Sequence, residues 1–478
     1  MHRPIQIQQL EFSLPHKTCF DGFTTQILCG SRIGIIGRNG SGKTALLNML
    51  SGALEPTSGR VLYGDDIIIG RVPQVISSFD NLSGGQRLQK ALTEALSLNP
   101  NVLLLDEPTN HLDRHSRKQL MRMLQSYSGT LIAVSHDTEL LNQCIDTLWH
   151  MDNEKIHVFS GQYDDYMKEK AAQRVAVEKA LADFNRQKKS MHDALMQEQQ
   201  RAAHSRRKGE KSIQNRKWPT ITSNAKANRA SQTAGRNRAA IDDKKQALSD
   251  QLESLRLPEK IQPTFIIPAC RTGDRVILSI SKGSVGYNDN HPILQRIHLS
   301  IRSRDRIAIH GNNGSGKTTL IKSILGFSEI VTRGEWSLPN PADIGYLDQH
   351  YGTLLSDKTV FDVIADQAPQ WSSREVRCYL NDFLFRKNEE VYSQVKTLSG
   401  GEKARLSLAQ MAVKTPTLLI LDEMTNNLDL ETKSHVVDVL KQYPGAMIVV
   451  DHDDDFLKAI DIKEYYGILG GMWKKKEN

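Results

Sequence analysis

Two eight-residue stretches of this chain can wrap a polyphosphate. They are Gly37-Arg38-Asn39-Gly40-Ser41-Gly42-Lys43-Thr44 and Gly311-Asn312-Asn313-Gly314-Ser315-Gly316-Lys317-Thr318. Glycines at these positions let backbone N–H groups close around phosphate oxygens, and a following helix start adds partial positive charge. Lys43 and Lys317 are spaced to reach the β- and γ-phosphates, and the Thr44 and Thr318 hydroxyls to ligate Mg2+.

Three further elements follow each loop in the same order. Leu-Ser-Gly-Gly begins at Leu82 and at Leu398, an apolar run ends in Asp106-Glu107 and in Asp422-Glu423, and a later apolar run ends at His136 and at His452. One phosphate loop can arise by accident; four elements in one order, twice, imply two ATP sites. Asp106 and Asp422 are expected to hold Mg2+, with Gln74 and Gln349 sensing the metal and the attacking water. Glu107 and Glu423 are the candidates for polarising that water, and His136 and His452 for reaching the γ-phosphate and holding Glu and water in line. Phe12 and Tyr287, at matching places before the loops, are the candidate adenine platforms.

These residues need parallel strands feeding loops and helices. Each phosphate loop follows an apolar strand (32–36 and 306–310) and opens a helix (45–50 and 319–325), the context such a loop requires. The expected fold class is α/β: two P-loop ATPase domains, 1–163 and 275–478, joined by a long helical linker at 164–258 and a connector at 259–274. The halves differ in length. Gln74 to Leu82 spans 8 residues and Gln349 to Leu398 spans 49, so only the second half has room for a helical insertion, near 360–385.

The 478 residues carry a net charge of +7, and the charge is concentrated between the repeats. Residues 167–260 hold 22 Lys and Arg against 11 Asp and Glu, and residues 201–238 hold 11 basic residues against the single acid Glu210. From 165 to 207 there is neither Gly nor Pro. Val177, Leu181, Phe184, Met191 and Leu195 keep a three/four spacing, so this stretch predicts a helix of about 45 residues, roughly 65–70 Å long. Ile241, Leu248, Leu252 and Leu255 predict a second arm, with Pro219 breaking continuity between them. The pattern predicts an antiparallel hairpin projecting from the ATPase body, with a basic tip near 205–238. Arg206, Arg207, Lys208, Lys211, Arg216 and Lys217 suit RNA phosphates, and Trp218 suits either a base or the hairpin itself. No apolar run reaches the ~20 residues of a membrane span. Cys19, Cys29, Cys144, Cys270 and Cys378 form neither a disulfide framework nor a metal-binding pattern, which suits a reducing cytoplasm.

The Leu-Ser-Gly-Gly run together with the late His resembles the ATP-binding cassette superfamily. The resemblance implies that Ser83-Gly84-Gly85-Gln86 and Ser399-Gly400-Gly401-Glu402 close over ATP held by the opposite loop, pairing Lys43 with Ser399 and Lys317 with Ser83. Asp106-Glu107-Pro108-Thr109-Asn110-His111-Leu112-Asp113 is similar to the ABC-F subfamily, soluble twin-cassette ATPases with a charged helical linker. That resemblance covers essentially the whole chain. It implies ATP and Mg2+ as cofactors and a ribosomal partner (rRNA and tRNA), with the ATP-bound form in the tRNA exit site and the linker tip towards the peptidyl-transferase centre. It implies no membrane and no DNA partner, and a monomer whose cassettes close on each other. The long linker and shortened first cassette look more like members that protect the ribosome from antibiotics.

Three positions depart from the family pattern: Met424 for Pro, Asn427 for His and Asp451 for Ser. Both Glu residues remain, so two sites of unequal rate are expected. The rival readings are the cytosolic ATPase of a transporter, which the basic linker disfavours, and an ATP-timed RNA-binding regulator without drug protection.

Overall fold

The computed structural model describes residues 2–14, 17–74, 84–110, 112–214, 275–288, 291–348, 351–352, 354, 357–414 and 416–476. In each half, short aliphatic runs become strands with every residue buried: Val102–Asp106 and Thr130–Val134, then Leu418–Asp422 and Ala446–Val450. Strands covered on both faces read as unbroken apolar runs rather than as alternation.

In the first cassette the sheet order is Ile69–Val72, Val102–Asp106, Thr130–Val134, Arg32–Gly37, Thr147–Asp152 and Lys155–Ser160. All neighbours are parallel except the last pair. Val134 is in register with both Ile35 and Asp106. That register brings the phosphate loop, the Asp-Glu pair and the segment leading to His136 to one carboxyl-end rim, where open α/β sheets bind ligands. Three antiparallel strands, Lys17–Ile27, Ile5–Leu14 and Ser58–Leu62, form a second sheet.

The second cassette repeats this plan as one nine-stranded sheet, its antiparallel part joined to the rest through Gln295 opposite Met472. Arg32 and Arg306 do the same work in each half. Their guanidiniums donate to the carbonyls of Leu124 and Tyr127, and of Lys441 and Tyr443, closing the carboxyl ends of helices Arg114–Ser126 and Leu430–Gln442.

The expected insertion in the second half consists of helices Val360–Ala365, Ser373–Asp382 and Asn388–Val391. Reciprocal caps, Thr359 with Asp362 and Ser372 with Glu375, start the first two; caps of this kind contribute about 1 kcal/mol each. Val360, Ile364, Leu380 and Phe383 pack into one core with Leu406 and Leu421, which ties the insertion to the helix following Ser399 and to the strand that carries Asp422. Each such buried side chain contributes about 1.5–3 kcal/mol. The corresponding residues of the first half, 75–83, lie outside the described residues.

The chain divides into two compact units, Met1–Asp164 with Lys260–Asn478, and Asp165–Glu259. Helix Tyr163–Gln214 runs for 52 residues, longer than the apolar spacing predicted. Ion pairs at helical spacing, Lys168 with Asp165 and Arg174 with Glu178, lie along its first turns. Val177 is half-buried; the side chains of Leu181, Phe184, Met191 and Leu195, and the whole second arm, lie outside what is described. Among the described residues no helix is long and apolar enough to cross a membrane.

Candidate functional site

Both phosphate loops use glycine where L-residues are strained. Gly40 and Gly314 have φ 77°, and Gly42 and Gly316, at the starts of helices Lys43–Leu50 and Lys317–Ile324, have φ 97° and 101°. Lys43 is buried and donates to the carbonyls of Gly37 and Arg38 at 2.8 and 3.0 Å. Lys317 donates to those of Gly311 and Asn312 at 2.9 and 3.2 Å. Burial holds both ammonium groups below the usual lysine range. Among the described residues Ser41 Oγ and Ser315 Oγ are buried inside the loops with no hydrogen-bond partner, which fits loops shaped for a polar guest.

Glu107 and Glu423 both have left-handed backbones at φ 49°, a conformation unusual for a non-glycine residue. Each backbone N–H is held by the next strand, Glu107 by the Val134 carbonyl at 2.9 Å and Glu423 by that of Val450 at 2.8 Å. The kink presents each carboxylate to the His of the neighbouring loop. Glu107 Oε1 lies 3.3 Å from His136 Nε2, and Glu423 Oε1 lies 3.7 Å from His452 Nε2. Burial drives both imidazoles neutral, His136 to about 3 and His452 to about 4. Burial also pushes the Glu107 carboxyl up to about 8, against the pull of Lys43.

The residues expected to hold a divalent cation fit one. Among the described residues Asp106 Oδ1 is buried without a hydrogen-bond partner, and the Thr44 hydroxyl bonds the same carboxylate. A free carboxylate oxygen beside a hydroxyl is the hard oxygen set that magnesium takes. Burial raises Asp106, and it raises Asp422 to about 6. The surroundings differ: the Arg71 guanidinium sits near Asp106, whereas the Tyr346 hydroxyl donates to Asp422. Gln74 is exposed just past strand Ile69–Val72; Gln349 lies outside the described residues.

Of the two signature segments, Ser399-Gly400-Gly401-Glu402 is described in full. Ser399 and Glu402 cap each other at the start of helix Gly400–Lys414. Arg405 on that helix lies close enough to Arg38 of the first phosphate loop for their charges to interact. Gly84, Gly85 and Gln86 open helix Gly84–Ser97, while Ser83 lies outside the described residues. Phe12 is half-buried, tilted against Phe20 at 6.3 Å. Tyr287 is 50% exposed, so of the two aromatics it is the one open to a planar guest. Arg206, Arg207, Lys208 and Lys211 fall on the last turns of helix Tyr163–Gln214; Arg216, Lys217 and Trp218 lie outside the described residues.

The structure adds residues that the sequence reading passed over. Asp429 Oδ1 caps helix Leu430–Gln442 through the Thr432 N–H at 2.8 Å, and its Oδ2 accepts the N–H of Asn39 in the first phosphate loop at 3.0 Å. Asp113 does the same in reverse, accepting the N–H of Ser116 and of Asn313 in the second loop. Burial disfavours the Asp429 carboxylate, yet the Thr432 and Asn39 N–H groups outweigh it and hold the acid below its usual range. Arg38 pairs with Glu431 through both its Nε and Nη2, at 2.5 and 2.6 Å. The signal in the sequence was the Leu-Asp that closes both Asp-Glu segments, Leu112-Asp113 and Leu428-Asp429.

A family model described as "ABC transporter" matches residues 20–70 and 294–426. The putative ATP-binding protein YdiF of Bacillus subtilis (strain 168) is 26% identical over 99% of this chain and 83% of its own length. The ribosome protection protein VmlR of the same organism is 28% identical over 96% of this chain and 85% of its own. The solved complex of archaeal ribosomal stalk protein aP1 with the recycling factor aABCE1 matches with a TM-score of 0.61 at 17% identity, covering 98% of this chain and 89% of that one; at that identity it speaks for the twin-cassette fold alone. With two phosphate loops, two Asp-Glu pairs and reciprocal contacts between the cassettes, the chain belongs to the ABC-F subfamily of ATP-binding cassette proteins.

Proposed function

We propose that this chain hydrolyses ATP at two sites shared between its cassettes, and that it binds the ribosome near the tRNA exit site, where its linker acts on translation. The observation that carries this is the reciprocal pair of contacts, Asp429 on Asn39 and Asp113 on Asn313. Each phosphate loop is tied to the opposite cassette, so occupancy of a loop is coupled to closure of both. Such a clamp does its work by binding and release.

In each site the chain's own residues divide the labour. The phosphate-loop N–H groups and Lys43 or Lys317 hold and orient the phosphates. Glu107 or Glu423 takes hydrogen bonds from the attacking water, and neutral His136 or His452 keeps that carboxylate in line. Asp106 with Thr44, and Asp422 with Thr318, are the groups that would hold Mg2+, which supplies charge neutralisation when bound. Ser399 and Ser83 complete the opposite sites. Tyr287 is the open aromatic for the base in the second cassette, and Phe12 is its half-buried counterpart in the first.

The density of Lys and Arg in 201–238 supports an RNA partner for the linker, and the ribosome-protection relative supports the ribosome as that partner. Protection from antibiotics is the use that best fits the long linker. The test is co-sedimentation of a Glu107→Gln/Glu423→Gln variant with ribosomes in ATP. The trapped protein should pellet with ribosomes and lose that binding when 201–238 is neutralised. No association at low salt overturns the reading. Antibiotic susceptibility on expression then separates protection from a general role in translation.

A further inference from the structure

The outer face of the antiparallel sheet in the second cassette carries a cationic cavity of about 340 Å³, lined in part by Lys282, Ser284, Gln295, Arg296 and His298, with no carboxylate in its lining among the described residues. It is separate from the nucleotide site. Val285, Leu294 and Ile297 point the other way, into the core, and the phosphate-loop Gly316 abuts Ile293 and Leu294. Side chains alternate across a strand, so the cavity and the phosphate loop lie on opposite faces of the sheet.

Lys282 and Arg296 stand on facing strands, Val276–Gly286 and Leu294–Arg302, where the register slips between Ile280 and Gly283 and again before Val285. Both have left-handed backbones, φ 49° and 55°. The first cassette has the same kinks, occupied by Gln9 (φ 48°) and Gly22 (φ 64°). A glycine on the third strand marks the correspondence. A Cβ on Gly59 would fall 2.1 Å from the Gln9 carbonyl, and one on Gly334 would fall 2.5 Å from that of Lys282. The fold therefore requires the kinks and not the cations, since the first cassette meets the same backbone demand without charge. A left-handed backbone costs a non-glycine residue roughly 1–2 kcal/mol, so the kinks by themselves give no reason for Lys282 and Arg296 to be cations.

The cavity also has the chemistry of an anion site. Among the described residues neither Lys282 nor Arg296 has a carboxylate partner, and Glu335, in register with Ser281 on the neighbouring strand, pairs with neither. His298 Nδ1 accepts the Lys282 N–H in a long bond of 3.5 Å, and its Nε2 is a further ring nitrogen able to donate. Gln295 and Ser284 add neutral donors.

We propose that this cavity binds a phosphodiester of RNA, with Lys282 and Arg296 on the phosphate oxygens. The choice of RNA rests on the ribosome reading above; the site's preference for a phosphate anion does not. The test uses the full chain with Glu107→Gln/Glu423→Gln, trapped in ATP, and measures ribosome co-sedimentation across a KCl series. Lys282→Asn and Arg296→Asn are introduced together, because Asn tolerates a left-handed backbone. Each phosphate contact contributes about 0.7–0.9 to the slope of log affinity against log salt, so the pair should flatten that slope by about 1.5. Lys282→Arg with Arg296→Lys should leave it as in the parent. An unchanged slope in the Asn pair overturns the site while ribosome binding stands. If the parent itself does not pellet with ribosomes, the functional reading fails. The same comparison is then made on a fluorescent RNA duplex: a flatter slope supports the cavity, and an unchanged one overturns it.

Discussion

Asp429 of the second cassette accepts the backbone N–H of Asn39 in the first phosphate loop at 3.0 Å, while its other oxygen caps its own helix. One carboxylate thus couples a helix start to a nucleotide loop on the other cassette. Asp429→Asn turns an acceptor into a group that presents N–H on one side, losing a charge-assisted bond of about 1.5–3 kcal/mol. Read in a Glu423→Gln background, the ATP concentration for half-maximal hydrolysis should rise about tenfold or more. The neighbouring Arg38–Glu431 pair is 61% and 35% exposed, so Arg38→Ala should cost less than about fivefold, because exposed pairs contribute about 0–1 kcal/mol. Equal effects in an ATP titration would contradict the division of labour between these contacts.

The two sites should differ in their dependence on pH. Glu107 must be ionised to polarise water, and burial pushes its carboxyl up to about 8. The Glu107 side chain is 7% exposed and that of Glu423 is 24%. Hydrolysis by Glu423→Gln, which leaves the first site, should climb from pH 6.5 to about 8.5. The part of the climb that belongs to the Glu107 carboxyl should vanish in Glu107→Gln, which removes it. Superimposable pH–rate profiles of the two variants would remove the assignment.

Asp451 makes stability depend on pH. Its carboxylate accepts the Thr425 hydroxyl on both oxygens at 2.8 Å and the Asp453 N–H at 2.9 Å. Burial, with Asp453 alongside, raises the acid to about 7. The unfolded chain gives up this proton near pH 4 and the folded chain holds it to about 7, so the folded form binds more protons between those values. Stability from this residue therefore falls as pH rises from 4 to 7 and stays low above. The full effect is on the order of 2–4 kcal/mol. Asp451→Ser restores the residue type of the first cassette, where Ser135 Oγ accepts the Asp137 N–H at 3.1 Å. The drop in melting midpoint between pH 5 and pH 8 should be smaller in this variant than in the parent. An equal drop in both proteins would count against the account.

Gly401 is the point where the signature helix meets the helix capped by Asp429. A Cβ there would lie 2.9 Å from Thr432 Oγ1, and the matching distance from Gly85 to Ser116 Oγ is 3.0 Å. Gly401→Ala should push Thr432, and with it Asp429, off position. Alanine is the better helix former by up to about 1 kcal/mol, which offsets part of the strain, so the melting midpoint should shift far less than the activity. Hydrolysis in the Glu423→Gln background should drop about tenfold, since small misplacements in such sites are costly. Loss of stability in step with activity would point to a packing defect instead.

The nucleotide loops, the Asp-Glu pairs and the late His residues were legible because their chemistry is local. A glycine pattern and a strand-to-helix context are complete within about ten residues, and the duplication shows each reading twice. The helical insertion of the second half was legible for a related reason: 49 residues between Gln349 and Leu398, against 8 in the first half, need somewhere to fold. Asp113, Asp429 and the Arg38–Glu431 pair were missed because the partners lie in the other cassette, hundreds of residues away along the chain. The candidate adenine platforms divided on the same ground. Phe12 and Tyr287 look equivalent in sequence, and only packing left Phe12 against Phe20 and Tyr287 open.

By itself, the sequence determined the two α/β cassettes, the candidate phosphate-binding and water-polarising residues in each and the basic stretch between the repeats. Hydrophobic runs, glycine spacing and charge are properties of short segments. Tertiary structure decided how each phosphate loop meets the opposite cassette and how the surroundings of the two Asp-Glu pairs differ. It turned Glu107 into the more deeply buried acid, placed Arg71 beside Asp106 where Tyr346 stands by Asp422, and set each phosphate loop under an aspartate of the opposite cassette. Burial and long-range register set these relations, and neither is a property of any one segment.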